Sequence, residues 1–300
     1  MANILQVKYP GDYSRYMGQT DPHPLISIIE FADLSPVPHT LNNYSVYGMF
    51  MNNNLNLDLT YGCGKYDYTD GTLICVGPGQ IGGKEDNGER IELEGWALLF
   101  HPDLLHGTHL QKTIKSCTFF DYHINEALHM TAEERDIVIS IFRQIKNELN
   151  SGSDRFQDSI IVEYLGLLLN YCMRFYQRQF VTRTVDNSGL LVKFDNLLTE
   201  YFDSHMQLDN GLPSVQYFAD RLCMSPNYFS DLIRKTTGDS PGSHIRRHII
   251  QRIKDELATG TPITQVAYDL GFEYPQHMSR MFKRAEGITP SQYIQQKIKK

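Results

Sequence analysis

The stretch Ser225-Pro-Asn-Tyr-Phe-Ser-Asp-Leu-Ile-Arg-Lys-Thr-Thr-Gly-Asp-Ser-Pro241 is present in two copies, the second reading Tyr274-Pro-Gln-His-Met-Ser-Arg-Met-Phe-Lys-Arg-Ala-Glu-Gly-Ile-Thr-Pro290. Each copy predicts one helix. Pro226 and Pro275 sit in a first turn, where a missing N–H is tolerated, and Gly238 and Gly287 sit just past the end. Ser225 is a good N-cap for the first copy, whereas Tyr274 is not one for the second. Phe229, Leu232 and Ile233 share one face at helical spacing, as do Met278, Met281 and Phe282. The outer faces carry Asn227, Ser230, Asp231 and Arg234 in one copy and Gln276, Ser279, Arg280 and Lys283 in the other. Short polar and basic side chains on an exposed helix suit the base edges of a DNA major groove. For a single helix of this kind an ordinary solvated face is the better explanation. Repetition tips the reading toward DNA.

Each copy follows a shorter predicted helix and a tight turn. Ser214-Val-Gln-Tyr-Phe-Ala-Asp-Arg-Leu-Cys-Met224 matches Pro262-Ile-Thr-Gln-Val-Ala-Tyr-Asp-Leu-Gly-Phe272 at Ala219/Ala267 and Leu222/Leu270. A small Ala allows close helix crossing, and the next helix starts within about three residues, as in a helix-turn-helix. Two units, 214–238 and 262–287, lie in tandem. Pro241 to Ala258 joins them as a third predicted helix, capped by Ser240 and followed by Gly260. Its span of about 27 Å compares with the roughly 34 Å between successive major grooves on one face of DNA. Arg246, Arg247, Arg252 and Lys254 on it are either candidates for phosphate contact or solvated charge.

Residues 190–294 resemble the DNA-binding domain of the AraC/XylS family of bacterial transcriptional regulators. The resemblance is densest in Ile263-Thr-Gln-Val-Ala-Tyr-Asp-Leu-Gly-Phe-Glu273, Met278-Ser-Arg-Met-Phe-Lys-Arg284 and Gly287-Ile-Thr-Pro-Ser-Gln-Tyr293. Ile294 departs from the family pattern, where Arg is common, and puts one phosphate contact in doubt. Asp231 is acidic where some relatives contact a base, which points to a cytosine amino group or to rejection of wrong sites. The predicted phosphate-binding residues are Arg234, Lys235, Lys283 and Arg284. Base choice is expected from Asn227, Ser230, Asp231, Gln276, Ser279 and Arg280.

The chain of 300 residues is long enough for two domains. Its net charge of −7 is unevenly spread. Residues 213–300 hold 13 Lys and Arg against 8 Asp and Glu, an excess of five positives, and the rest of the chain stands at −12. A basic end behind an acidic body fits DNA binding by one domain. Cys63, Cys75, Cys117, Cys172 and Cys223 are widely spaced with no C-x-x-C pair, which predicts buried reduced thiols. The first ten residues lack a basic head followed by an apolar run, so no signal peptide is expected. No uncharged apolar stretch approaches the ~20 residues needed to cross a bilayer. A cytoplasmic protein is expected.

Residues 1–24 are polar and turn-rich, an expected arm or lid. Ile26–Phe31, Tyr44–Phe50, Leu55–Tyr61, Thr72–Val76, Glu92–Phe100 and Ser116–Tyr122 read as strands between Asn-Asn, Asp-Gly, Pro-Gly and Gly-Gly turns. Such short strands predict a β-sandwich or jelly-roll barrel. Gly71–Gln80 resembles a cupin strand and turn, and implies the sensor domain carried by many regulators of the same family. The stretch 95–109 holds the one Trp, Trp96, with His101, His106 and His109. Without an H-x-H, and with Pro102 and Gly107 interrupting, these His predict structural roles rather than a metal site. Tyr61, Trp96 and His101 are the candidate effector-binding residues, with barrel core as the competing role.

Thr131–Glu134 fits a capping box, and Ile137, Ile141, Ile145 and Leu149 follow at four-residue intervals. Gln157–Gln179 predicts a second helix with Ile160, Ile161, Tyr164, Leu165, Leu168 and Leu169 apolar. The family resemblance implies dimer contacts here, through 156–175. Residues 183–189 read as a linker. Leu190–His205 then reads as a helix bracing the first unit.

The expected fold class is therefore α+β in two domains. Residues 1–182 form a cupin-like barrel with appended helices, for effector binding and dimerisation, and 190–300 an all-α DNA-binding domain. The expected function is a sequence-specific, effector-responsive transcriptional regulator acting as a homodimer on double-stranded DNA. No cofactor, metal, catalytic residue or membrane partner is expected. A cupin-type metal-dependent enzyme carrying a DNA-binding tail and an effector-independent DNA-binding dimer stand as alternatives.

Overall fold

The computed structural model describes residues 4–38, 40–52, 71–83, 86–123, 126–182 and 184–298. Its contacts divide the chain into two compact units, residues 1–181 and 182–300. Tyr61, Cys63 and the expected strand Leu55–Tyr61 lie outside the described residues.

Unit 1 runs β1 (Ile4–Val7), α1 (Pro10–Tyr16), β2 (Ile26–Glu30), β3 (Val37–Pro38), β4 (Leu41–Tyr44), β5 (Tyr47–Asn52), β6 (Thr72–Val76), β7 (Ile81–Gly83), β8 (Arg90–Ile91), β9 (Gly95–Phe100), α2 (Leu110–Thr113), β10 (Leu128–His129), α3 (Ala132–Asn150) and α4 (Gln157–Thr182). The main sheet is antiparallel, in the order β10-β6-β5-β9-β2. A second sheet, β1-β4-β7, pairs β1 with β4 in parallel, and β3 pairs with β8. Among the described residues these sheets do not close into a barrel.

All six residues of β9 are buried, so this strand is covered on both faces. Ala97 and Leu99 join Val7, Tyr13, Tyr44 and Val76 in one core. Trp96, Leu98 and Phe100 point the other way, as the two-residue period of a strand requires. Trp96 meets Phe142 of α3 at 6.1 Å between ring centroids, and Phe100 meets Phe120 at 6.2 Å. The expected capping box is present: Thr131 Oγ1 accepts from Glu134 N at 3.3 Å, and Glu134 Oε2 accepts from Thr131 N at 3.0 Å.

Three expectations fail in unit 1 and at its end. Residues 4–16 hold a strand and a helix, with Val7, Tyr13 and the following Met17 in the core, so of the two roles, arm or lid, the arm fails. Ser116–Tyr122 is not a strand; Ile114–Ser116 and Thr118–Asp121 are 3-10 turns. Phe119 and Phe120 are consecutive and both buried, which strand alternation forbids on a one-sided sheet. Residues 184–189 begin a helix in place of a turn-prone linker.

Unit 2 is helical: α5 (Thr184–Asp203), α6 (Met206–Asn210), α7 (Val215–Arg221), α8 (Pro226–Thr237), α9 (Pro241–Ala258), α10 (Ile263–Asp269), α11 (Pro275–Glu286) and α12 (Pro290–Ile298). Phe194 of α5 packs edge-on against Phe218 of α7 and Phe229 of α8, with centroids 5.1 and 5.2 Å away. This is the brace expected for the first unit. No helix among the described residues is long and apolar enough to cross a membrane.

Candidate nucleic-acid interface

The two repeated units are built by the same backbone device. In α7–α8 the amide of Met224 donates to Ala219 O at 2.9 Å, and in α10–α11 Phe272 donates to Ala267 O at 2.9 Å. Ala219 and Ala267 are fully buried where the paired helices cross. Each turn requires a residue at positive φ one step earlier. Gly271 supplies it at 83°, and Cys223 occupies the matching position at 57°. Glycine is obligatory at 271 for a second reason: a Cβ there would lie 2.5 Å from the carbonyl oxygen of Gln207.

The second turn is one residue longer, since Phe272 is followed by Glu273 and Tyr274 where Met224 is followed by Ser225 alone. Ser225 Oγ accepts from Tyr228 N at 3.2 Å and caps α8, while Tyr274 makes no side-chain cap on α11. Both helices then run 12 residues and end at glycines in the left-handed region, Gly238 and Gly287.

Tyr228, Phe229, Leu232 and Ile233 of α8 are buried. Arg234 and Lys235 are exposed, and Asn227, Ser230 and Asp231 half-buried. In α11 Met278 and Phe282 are buried and Met281 half-buried, leaving Gln276, Arg280, Lys283 and Arg284 exposed and Ser279 half-exposed. Each set of sequence-predicted residues thus shares one outward side of its helix. Their electrostatics differ: Asp231 pairs with Arg234 at 3.5 Å on α8, whereas Arg280, Lys283 and Arg284 have no acidic partner among the described residues. Basic residues in both last turns also complement the helix dipole.

The four cations of α9 separate into different roles. Arg252 donates to Asp203 at 2.6 Å and to His248 Nε2 at 3.0 Å, and lies 5.0 Å from the ring of Phe202. Burial lowers the His248 pKa, the Arg252 guanidinium lowers it further, and Asp195 and Asp203 oppose both. Lys254 binds Glu286 of α11 at 2.7 Å. Arg247 pairs with Asp239 in the α8–α9 connection. Arg246 is exposed and, with Arg247, Arg280, Arg284 and His277, lines a groove of about 780 Å³ between α9 and α11. Sequence reasoning missed this groove and His277; the i, i+4 pair Arg280/Arg284 was the available signal.

In unit 1 the two described candidate effector residues, Trp96 and His101, are not brought together. Trp96 is buried beneath Lys146, whose Nζ lies 5.3 Å from the ring. His101 follows the far end of β9, about 17 Å along the strand, where it stacks on Tyr9 at 4.8 Å. His101 and His106 each lie 3.4 Å from the Asp103 carboxylate, and His109 lies 3.9 Å from Glu163. Among the described residues no three His, Cys, Asp or Glu side chains form a metal-sized cluster. A recess of about 220 Å³ opens beside Gln19, Asp21, Glu30, Asp33 and Lys146. Burial raises the thiol pKa values of Cys75, Cys117 and Cys172, that of Cys117 to about 12, which keeps these side chains protonated and unreactive.

Paired helix-turn-helix units with polar, basic outer faces define a DNA-binding type of protein. A family profile for the helix-turn-helix domain matches residues 218–296. Regulatory protein SoxS of Salmonella typhimurium is 33% identical over 97 residues, which are 32% of this chain and 88% of SoxS. The arabinose operon regulatory protein of Escherichia coli is 28% identical over 157 residues, 51% of this chain and 49% of that protein. An uncharacterised helix-turn-helix regulator of Bacillus subtilis, YtdP, is 32% identical over 103 residues, 34% of this chain and 12% of YtdP. The match thus spans about half or less of these last two relatives. The chain belongs to the AraC/XylS family of transcriptional regulators.

Proposed function

We propose that the chain is a sequence-specific, effector-responsive transcriptional regulator of the cytoplasm. Residues 190–300 bind double-stranded DNA, and residues 1–182 bind a small molecule and pair two copies. The observation that carries this reading is the repetition of one device: two 12-residue helices with basic last turns, joined by a continuous 18-residue helix. Arg234, Lys235, Lys283 and Arg284 contact phosphates, and supply most of the affinity and its salt dependence. Asn227, Ser230, Asp231, Gln276, Ser279 and Arg280 face the bases, with Asp231 accepting from a cytosine amino group.

For unit 1 the reading is a cupin-like sensor, supported by its antiparallel five-stranded sheet flanked by a smaller sheet and helices. Given their separation, a small effector contacts Trp96 or His101 but not both. Pairing of two copies is supported by Phe156, Ile160 and Leu167, which are 52%, 37% and 46% exposed at or along α4. Their spacing places them on one side of the helix.

The test is selection of duplexes from a random pool, followed by titration of the winner at several salt concentrations. Two half-elements about 10 base pairs apart, with a steep negative salt slope, are the expected result. Failure of both the full chain and residues 190–300 to enrich any site sinks the DNA reading. Ligand-dependent thermal shifts test the sensor, and light scattering of Leu167→Asp tests the pairing.

A further inference from the structure

The groove between α9 and α11 concentrates positive charge that the fold itself leaves unanswered. Four guanidinium groups line it, Arg246 and Arg247 from α9 and Arg280 and Arg284 from α11. The acid on its wall, Glu286, is taken by Lys254 at 2.7 Å. Arg247 is partly neutralised by Asp239. Arg246, Arg280 and Arg284 make no ion pair among the described residues. Like charges held along one groove repel, and concave low-dielectric walls focus their field outward. An anion entering the groove relieves that repulsion, and guanidinium forks match phosphate oxygens in pairs.

Position identifies the anion. Arg280 lies two residues from both buried Met278 and Phe282, hence opposite the core and central on the exposed side of α11. Arg284 lies one turn further along the same helix, and Arg246 faces the groove from α9. A duplex whose major groove receives α11 has a phosphate strand running along each flank of that helix. The flank toward α9 is this groove. We propose that the α9–α11 groove grips that phosphate strand, with Arg246 of the connecting helix acting opposite Arg284. The proposal rests on the DNA reading above and makes the connecting helix part of the interface. It also makes the second unit the stronger anchor, because on α8 Arg234 is already paired with Asp231. An acidic polypeptide is the other class of occupant that arginines beside Ile250 and Met281 would accept. The continuity of the groove with the exposed side of α11 favours DNA.

The experiment uses the full-length protein, its selected duplex and an unrelated duplex of equal length, each titrated at several salt concentrations. Arg246→Gln should weaken both duplexes alike, by about three- to tenfold, and make the salt slope shallower by about one. Arg246→Lys should restore most of the slope. Lys193→Gln, an equal charge loss at an exposed position on α5, should leave both quantities near wild type. Thermal melts matching wild type establish that folding is unchanged; should Arg246→Gln melt early, Arg246→Lys decides, since loss of the slope with the charge retained overturns the proposal. Wild-type protein that binds no duplex overturns the DNA reading itself. Wild-type binding that Arg246→Gln reproduces in affinity and slope overturns the groove alone. Unchanged DNA binding with lost binding to poly-glutamate reassigns the groove to an acidic protein.

Discussion

Gln207 Nε2 donates a 3.0 Å hydrogen bond to the backbone carbonyl of Asp269, 62 residues further along the chain. The backbone of Gln207 also lies against Gly271, so the short helix α6, which precedes the first unit, is seated on the turn of the second. The turn of the second helix-turn-helix is therefore held from α6 as well as by its connection through α9.

Substitutions at this contact should be costly. Gly271→Ala places a Cβ 2.5 Å from Gln207 O at a φ of 83°, and we expect a loss of about 2–4 kcal/mol. Gln207→Leu keeps the volume but strands the Asp269 carbonyl, at about 1–3 kcal/mol. Urea denaturation of each variant measures both. A Gly271→Ala protein as stable as wild type contradicts the close approach.

The matching position in the first unit predicts the opposite sign. Cys223 holds a φ of 57° that L-residues adopt reluctantly. Cys223→Gly should relieve this strain and stabilise the fold by about 1 kcal/mol, net of the extra freedom glycine gives the unfolded chain. A lower urea midpoint for Cys223→Gly would show that the side chain contributes more than the strain costs.

Unit 2 was legible because its signals are local. Pro226, Pro275, Gly238, Gly287 and Ser225 mark helix ends within a few residues, and apolar positions three and four apart mark buried faces. The Gln207–Asp269 contact left no such mark, since α6 is one short turn and its partner is distant in sequence. In unit 1 the parallel pairing of β1 with β4 is equally non-local, which is why the first residues read as an arm. Ser116–Tyr122 read as a strand because its aromatics favour sheets, but that preference expresses packing. Phe119 finds its packing on Tyr176 of α4, 5.3 Å away, without a strand. The α9–α11 groove needed the structure, because periodicity places Arg246 on a surface without saying what faces it.

Arg280 and Lys283 should separate in their effects on DNA binding. Arg280→Ala is expected to weaken the selected duplex by about 1–3 kcal/mol and relax one base position, whereas Lys283→Ala weakens all sequences alike. Competition between selected and random duplexes reads the difference. Equal losses on both duplexes for both variants would overturn the assignment of roles.

Acid should weaken unit 2 through His248. Its pKa in the fold is lowered, by burial first and then by Arg252, so the unfolded chain takes up the proton earlier as pH falls. The stabilisation is complete above the unfolded value of about 6.5 and is lost as pH drops through the folded value. Urea midpoints should fall across that window in wild type and fall less in His248→Gln. Equal slopes would assign the acid sensitivity to other groups.

The continuous α9, held at one end by Ser240 and bridged to α11 through Lys254 and Glu286, has a consequence for any target sequence. Each base pair inserted between two half-elements turns the second by about 34° around the duplex axis. A helix held at both ends cannot follow that rotation, so about five inserted pairs put the second element out of reach on the far side. Helical phase then discriminates between sites as bases do, and removes accidental genomic matches without any further base contact.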